Sequence, residues 1–287
     1  VSEEGATYRP EFEWLGEKLR SLGHDVHVVE PSQVMQMGDG SYVPVDGAPR
    51  RVDILYRFFE LFDLANVKGA DGIFNAVEAG TLTLTPPMKA FQEEKLGLAL
   101  LHHPQLAEFW KENLPEDHHE ALFRIVPQTW IMEKTELPPT AVLHAPGVNG
   151  RPIREWAELA EASQRERNLI IKASGFHETA WGARSVTLGR DVSRDEWLEA
   201  IEDALNPENE TFHVMQAYHK PSRLTHPVYA DDGTVAPAEG RVRLCPYFFV
   251  DGDSVELSGI LATFCPADKK IIHGMSDAAL LPCHVVG

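Results

Sequence analysis

The sequence predicts an α/β protein in two parts, and three observations support this. A helix-spaced apolar stripe, a glycine stop and a short apolar strand open the chain. In its middle, an apolar strand carrying one lysine runs into a glycine-rich loop. The last third is a series of strand-like stretches, two of them joined by Asp251-Gly252-Asp253.

The 287 residues suffice for a substantial core, and 43% hydrophobic with 24% charged residues is the composition of a soluble globular chain. A formal charge of -18 repels phosphate backbones and anionic lipid, so the expected partners include neither nucleic acid nor membrane. In so acidic a field each interior Lys or Arg is informative. No apolar run approaches the roughly 20 residues of a spanning helix. Val1 to Gly5 has neither the basic start nor the apolar stretch of a signal peptide. Three widely spaced cysteines, Cys245, Cys265 and Cys283, suit a reduced chain, and the expected location is cytoplasmic. The chain opens in what reads as a strand end or the following turn, so further residues are expected upstream of Val1.

Tyr8 to Leu22 carries Phe12, Leu15, Leu19 and Leu22 at helical spacing, and Gly23 stops it. Val26 to Val29 reads as a strand, which makes the opening part of a Rossmann-like unit. Asp39-Gly40 and Asp46-Gly47 bracket a small hairpin. Val52 to Tyr56 reads as a buried strand, and Ile73 to Val77 alternates toward a loop reaching Pro86-Pro87. Met88 to Leu101 and Gln105 to Leu114 read as helices, Pro115 to Glu120 as a polar run, and Arg124 to Pro127 as a short strand. Ile153 to Arg167 reads as a charged surface helix with Trp156 and Leu159 on its apolar side. Ser193, with Glu196 three residues on, caps a helix to Leu205. Strands follow at Phe212 to Tyr218, Arg241 to Val250 and Val255 to Phe264. The domain division predicted is 1–85 and 86–287, with a small lobe at about 124–220 and the remaining strands at 221–287.

The chemistry concentrates between Asn168 and Val186. Leu169-Ile170-Ile171 delivers Lys172 to a strand end, and Gly175 and Gly182 let the following loop turn its amides toward a ligand. The spacing is not that of a P-loop, and no G-x-G-x-x-G occurs. A plain hairpin with a mobile loop accounts equally well for this stretch by itself. Gln216-Ala217-Tyr218 ends a later strand with a polar, a small and an aromatic residue; an adenine slot needs backbone groups for the base edge and apolar cover for its faces, but by itself the stretch reads as an ordinary edge strand. Of the thirteen histidines, the pairs at His102-His103 and His118-His119 lack ligand spacing. Cys265, His273, Cys283 and His284 form a weak zinc candidate, so no metal ligands are assigned. No G-x-S-x-G is present.

The order strand-lysine, glycine loop, strand, helix, Gln-Ala strand resembles the circularly permuted ATP-grasp ligases typified by glutathionylspermidine synthetase. Trp181-Gly182-Ala183-Arg184-Ser185-Val186 is similar to that family's loop ending Glu-Gly-Ala-Asn-Val. Tyr56 to Glu60, Pro86 to Lys89, Glu93 to Leu96, Gly259 to Phe264 and His273 to Ser276 with Leu281-Pro282 resemble further family segments in the same order. The resemblance implies a Rossmann-like segment followed by an ATP-grasp body of two α+β lobes. It implies an ATP- and magnesium-dependent ligase that joins a carboxylate to an amine through an acyl phosphate. Lys95 and Lys172 would contact the nucleotide, Gly175 and Gly182 would close the loop over its phosphates, and Gln216, Ala217 and Tyr218 would form the adenine hinge.

Two departures qualify this expectation. The family's strand arginine is apolar here or is replaced by Thr263, leaving Arg241 and Arg243 as the candidates to line the cleft. The carboxylate pair that holds magnesium would lie upstream of Val1. A degenerate relative that binds nucleotide or a partner without ligating is therefore the alternative.

Overall fold

Glu11 in its first turn and Lys18 and Arg20 in its last complement the dipole of the first helix, α1 (Arg9–Ser21), in the computed structural model. Gly23, at φ 93, ends it as expected. The structure describes residues 1–3, 5–175, 179–180, 184–209, 211–230, 232–272 and 277–284. It is a mixed α and β protein with several sheets, dividing into Val1–Gly97, to which Gly175 also belongs, and Leu98–Ser174 with Thr179–Gly287.

In the first unit, β1 (Met35–Met37), β2 (Gly40–Val45) and β3 (Ala48–Val52) form an antiparallel meander. The expected hairpin turns at Asp46-Gly47, both at positive φ, which a tight two-residue hairpin needs. Next come β4 (Ile54–Tyr56), α2 (Ala70–Glu78) and β5 (Thr83–Thr85), the two strands parallel and joined across the helix. Phe59, Val67, Ala70, Ile73, Ala76 and Leu82 form the core.

Three expectations fail in this unit ahead of Met88. Ile73 to Val77 lies in α2, because Ala70, Ile73 and Ala76 recur at helical spacing and are buried together. The stretch expected as one buried strand breaks at Asp53, and Ile54 and Tyr56 are more than half exposed. Val26 to Val29 carries no ladder; the Val26 carbonyl accepts from Arg20 and the Val29 carbonyl from Val1.

Arg57 ties this unit together. Its buried guanidinium donates to the carbonyls of Pro86 and Phe59 and pairs with Glu93 at 2.8 Å. Glu93 also accepts from the Leu61 amide. Of the helix expected from Met88, only α3 (Leu96–Leu101) forms, preceded by a 3-10 turn at Ala90–Gln92.

In the second unit, α4 (Ala107–Asn113) and α5 (Glu116–Ile125) precede a four-stranded antiparallel sheet. Its strands are β6 (Thr129–Met132), β7 (Leu169–Ala173), β8 (Val186–Leu188) and β9 (His213–Ala217), ordered β6-β9-β7-β8. Helix α6 (Arg194–Ala204) lies between β8 and β9 in sequence, and Ser193 and Glu196 form the expected capping box. The second sheet runs β10 (Arg223–Tyr229), β11 (Val235–Asp251), β12 (Ser254–Pro266) and β13 (Ala279–Pro282) in sequence order, with Gly252 at φ 58 in the expected β11–β12 turn.

Expectations fail in this unit as well. The polar run from Glu116 to Glu120 and the first half of the strand expected at 124–127, Arg124-Ile125, belong to α5, whose first turn gains from Glu116 and Asp117 at the positive end of the dipole. The helix expected over 153–167 is only a 3-10 turn at Trp156–Glu161. Glu166 accepts from the Ser163 hydroxyl and amide and from the Asn149 amide, and these local bonds compete with helix continuation. Trp156 and Leu159 are buried, as expected of its apolar side.

Replacing Arg57 with Ala strands the half-buried Glu93 carboxylate and the carbonyls of Phe59 and Pro86. Urea unfolding is expected to show a loss of about 3 kcal/mol; a loss within experimental error would show that the network carries no stability.

Candidate functional site

The four-stranded sheet has two unlike faces. Leu169 and Ile171 of β7, Met215 of β9 and Met132 of β6 point one way and pack under Trp197 and Ile201 of α6. Gly189 admits Trp197: a Cβ there would meet the Arg167 carbonyl at 2.9 Å and the Trp197 ring at 3.0 Å. Alternation then sends Ile170, Lys172, Val214, Gln216 and Thr129 to the opposite face, as the pairs Ile170↔Gln216, Lys172↔Val214 and Thr129↔Gln216 require.

On that face a polar chain crosses three strands. Lys172 Nζ donates to Gln216 Oε1 at 2.8 Å, Gln216 Nε2 donates to Thr129 Oγ1 at 2.8 Å, and Thr129 donates to the Pro127 carbonyl at 2.8 Å. Thr129 is fully buried and Gln216 nearly so, while Lys172 is half-buried. A buried amide with both ends bonded is fixed in place, so the ammonium is held at the end of a rigid support. Thr129 was missed in the sequence because no strand was expected there and its partner lies 87 positions away.

The glycine loop leaves this sheet at Ser174. Its base is closed by the Ser185 amide donating to the Thr179 carbonyl at 3.1 Å and by the Ala173 amide donating to Ser185 Oγ. Gly182, with Trp181 and Ala183, lies outside the described residues, as do 176–178. Gly175 belongs to the first unit, where a Cβ would sit 2.9 Å from the Glu94 carboxylate, so a larger residue would displace that side chain.

Lys95, also in the first unit, is half-buried. Burial pushes its pKa below the ordinary 10.5, and Glu94 opposes that. At the far end of β9, Asn168 clamps Tyr218: the Tyr218 amide donates to the Asn168 carbonyl, and Asn168 Nδ2 donates to the Tyr218 carbonyl at 2.6 Å. The Ala217 amide donates to the Gln128 carbonyl. The Tyr218 hydroxyl donates to the Lys270 carbonyl at 2.7 Å, and burial raises its pKa.

The two arginine candidates separate. Arg241 is buried and structural, its guanidinium donating to the carbonyls of Ala267 and Pro221. Arg243 is exposed and stands opposite Thr263 in the ladder. Thr263 is buried, and no partner for its hydroxyl is found among the described residues. Among the described residues no three His, Cys, Asp or Glu gather to hold a metal; His273 of the zinc candidate lies outside them, and Cys265 is buried while Cys283 is exposed. No helix among the described residues is long and apolar enough to cross a membrane.

Comparison with protein-family models and with curated proteins gave no match.

Replacing Thr129 with Val keeps its shape but leaves the buried Gln216 amide without an acceptor. A cost of about 1–3 kcal/mol is expected in urea unfolding; an unchanged midpoint would mean that Gln216 is not held through Thr129.

Proposed function

We propose that the second unit grips the triphosphate of ATP, and that the protein uses it to join a carboxylate to an amine through an acyl phosphate. The observation that carries this reading is the Lys172 ammonium, fixed by Gln216 and Thr129 on the sheet face opposite α6 and adjoining the glycine loop. In an acidic protein a rigidly held interior cation suits an anionic ligand, and a charge-assisted contact to phosphate is among the stronger polar interactions. The Lys172 ammonium suits a phosphate oxygen, and the resemblance implies that amides of the loop complete the donor set. Asn168 holds the Tyr218 backbone, and Gln216, Ala217 and Tyr218 form the adenine hinge that the resemblance implies.

In this reading Lys172 neutralises phosphate charge, and the loop closes over the phosphates as the ligase resemblance implies. Magnesium would screen the remaining phosphate charge when bound. Catalysis would then rest on alignment of the carboxylate with the γ-phosphoryl group more than on a side-chain nucleophile. The finer architecture, a Rossmann-like part over 1–85 and an ATP-grasp body over 86–287, belongs to the same proposal, as does a cytoplasmic location.

One observation favours the second reading, a nucleotide binder without ligase activity. Thr263 stands where the resemblance expects an arginine, and Arg241 is committed to the fold.

Two measurements separate these readings. Calorimetry of Lys172→Ala is expected to show ATP affinity reduced about 10- to 100-fold with the fold retained; unchanged affinity would remove the grip from this loop. Across a panel of carboxylates and amines, ADP release that depends on the amine supports ligation. ATP binding without such release favours the second reading.

A further inference from the structure

The first unit contains an apolar cavity of about 760 Å³, lined on one side by Val26 to Val29 and on the other by Ile54 to Phe58. That volume would hold a small ligand, but the backbone around it is arranged for a strand. At one end the Val1 nitrogen donates to the Val29 carbonyl at 2.8 Å, and the next amide, Ser2, donates to the Phe58 carbonyl at 3.3 Å. Consecutive residues bonding to opposite neighbours is the signature of a strand lying between two others.

The flanking segments have the matching polarity. The Asp53 carbonyl and the Arg57 amide bond to β5, so alternation turns the amides and carbonyls of Ile54 and Tyr56 toward the cavity. On the other side Val26 turns its carbonyl to Arg20, and Val29 turns its own toward Val1, so His27 faces the cavity as Val29 does. The failed strand at Val26 to Val29 and the exposure of Ile54 and Tyr56 then have one cause: both segments border a slot that no strand fills.

We propose that this slot is completed by the residues that run directly into Val1, entering as a central parallel strand between Val26–Val29 and β4. The two hydrogen bonds and the cavity behind them fix the register. The first residue ahead of Val1 donates to the Tyr56 carbonyl and accepts from the Phe58 amide. The second donates to the His27 carbonyl and accepts from the Val29 amide, and the third accepts from the Tyr56 amide. Buried on both faces, the segment is apolar. The resulting parallel sheet has the order Val26–Val29, new strand, β4, β5. This inference is independent of nucleotide binding.

The test compares amide hydrogen exchange by NMR in the polypeptide Val1–Gly287 and in the natural gene product that includes the residues ahead of Val1. Protection at Val29, Tyr56 and Phe58 is expected to rise at least about tenfold in the longer protein, with Leu55 and Arg57, already bonded to β5, changing far less. Equal exchange in the two proteins would overturn the proposal, as would a rise that spares the alternate pattern, the mark of a small apolar ligand or general stiffening. A reading frame with only an initiating methionine ahead of Val1 would overturn it too.

Discussion

The second unit is organised by the burial of one sheet face under α6. Trp197 is fully buried against Gly189 and against Leu169, Ile171 and Met215 of the central strands. Because side chains alternate along a strand, placing Ile171 under α6 leaves Lys172 no choice of face. A shift of one residue would bury the ammonium under Trp197 at a cost of several kcal/mol. The position of the candidate site thus follows from where the apolar residues go.

The polar face works by the same logic at finer scale. Gln216 is nearly inaccessible, so both ends of its amide need partners, and Thr129 and Lys172 provide them. The ammonium is thereby held by a neutral amide oxygen on the face of the sheet opposite α6. Arg241 shows the opposite arrangement: its guanidinium donates to two backbone carbonyls, one just before β10 and one just after β12, tying β11 to both.

Legibility in the sequence followed the range of the forces involved. The strand carrying Lys172, the β8 strand at Val186, the capped helix after Ser193 and the hairpin at Gly252 were legible because local signals set them: an apolar run, a capping box, an Asp-Gly turn. Ile73 to Val77 and Glu116 to Ile125 were misread because short apolar or polar runs fit more than one period, and burial by distant residues decides between them. Thr129 was not legible at all, since its role exists only once β9 lies beside β6. Val26 to Val29 has a strand's composition, but composition does not supply a partner, and a strand without one makes no ladder.

The central claim is that Lys172 presents a fixed positive charge to the phosphates of ATP. Amine-reactive labelling of the native protein, read by mass spectrometry with and without ATP, addresses it directly. Lys134, near Glu196 and Glu199 of α6, serves as the internal control. The account predicts that ATP shields Lys172 from modification in a saturable manner while Lys134 labelling stays constant. Equal labelling of Lys172 at saturating and zero ATP would contradict it.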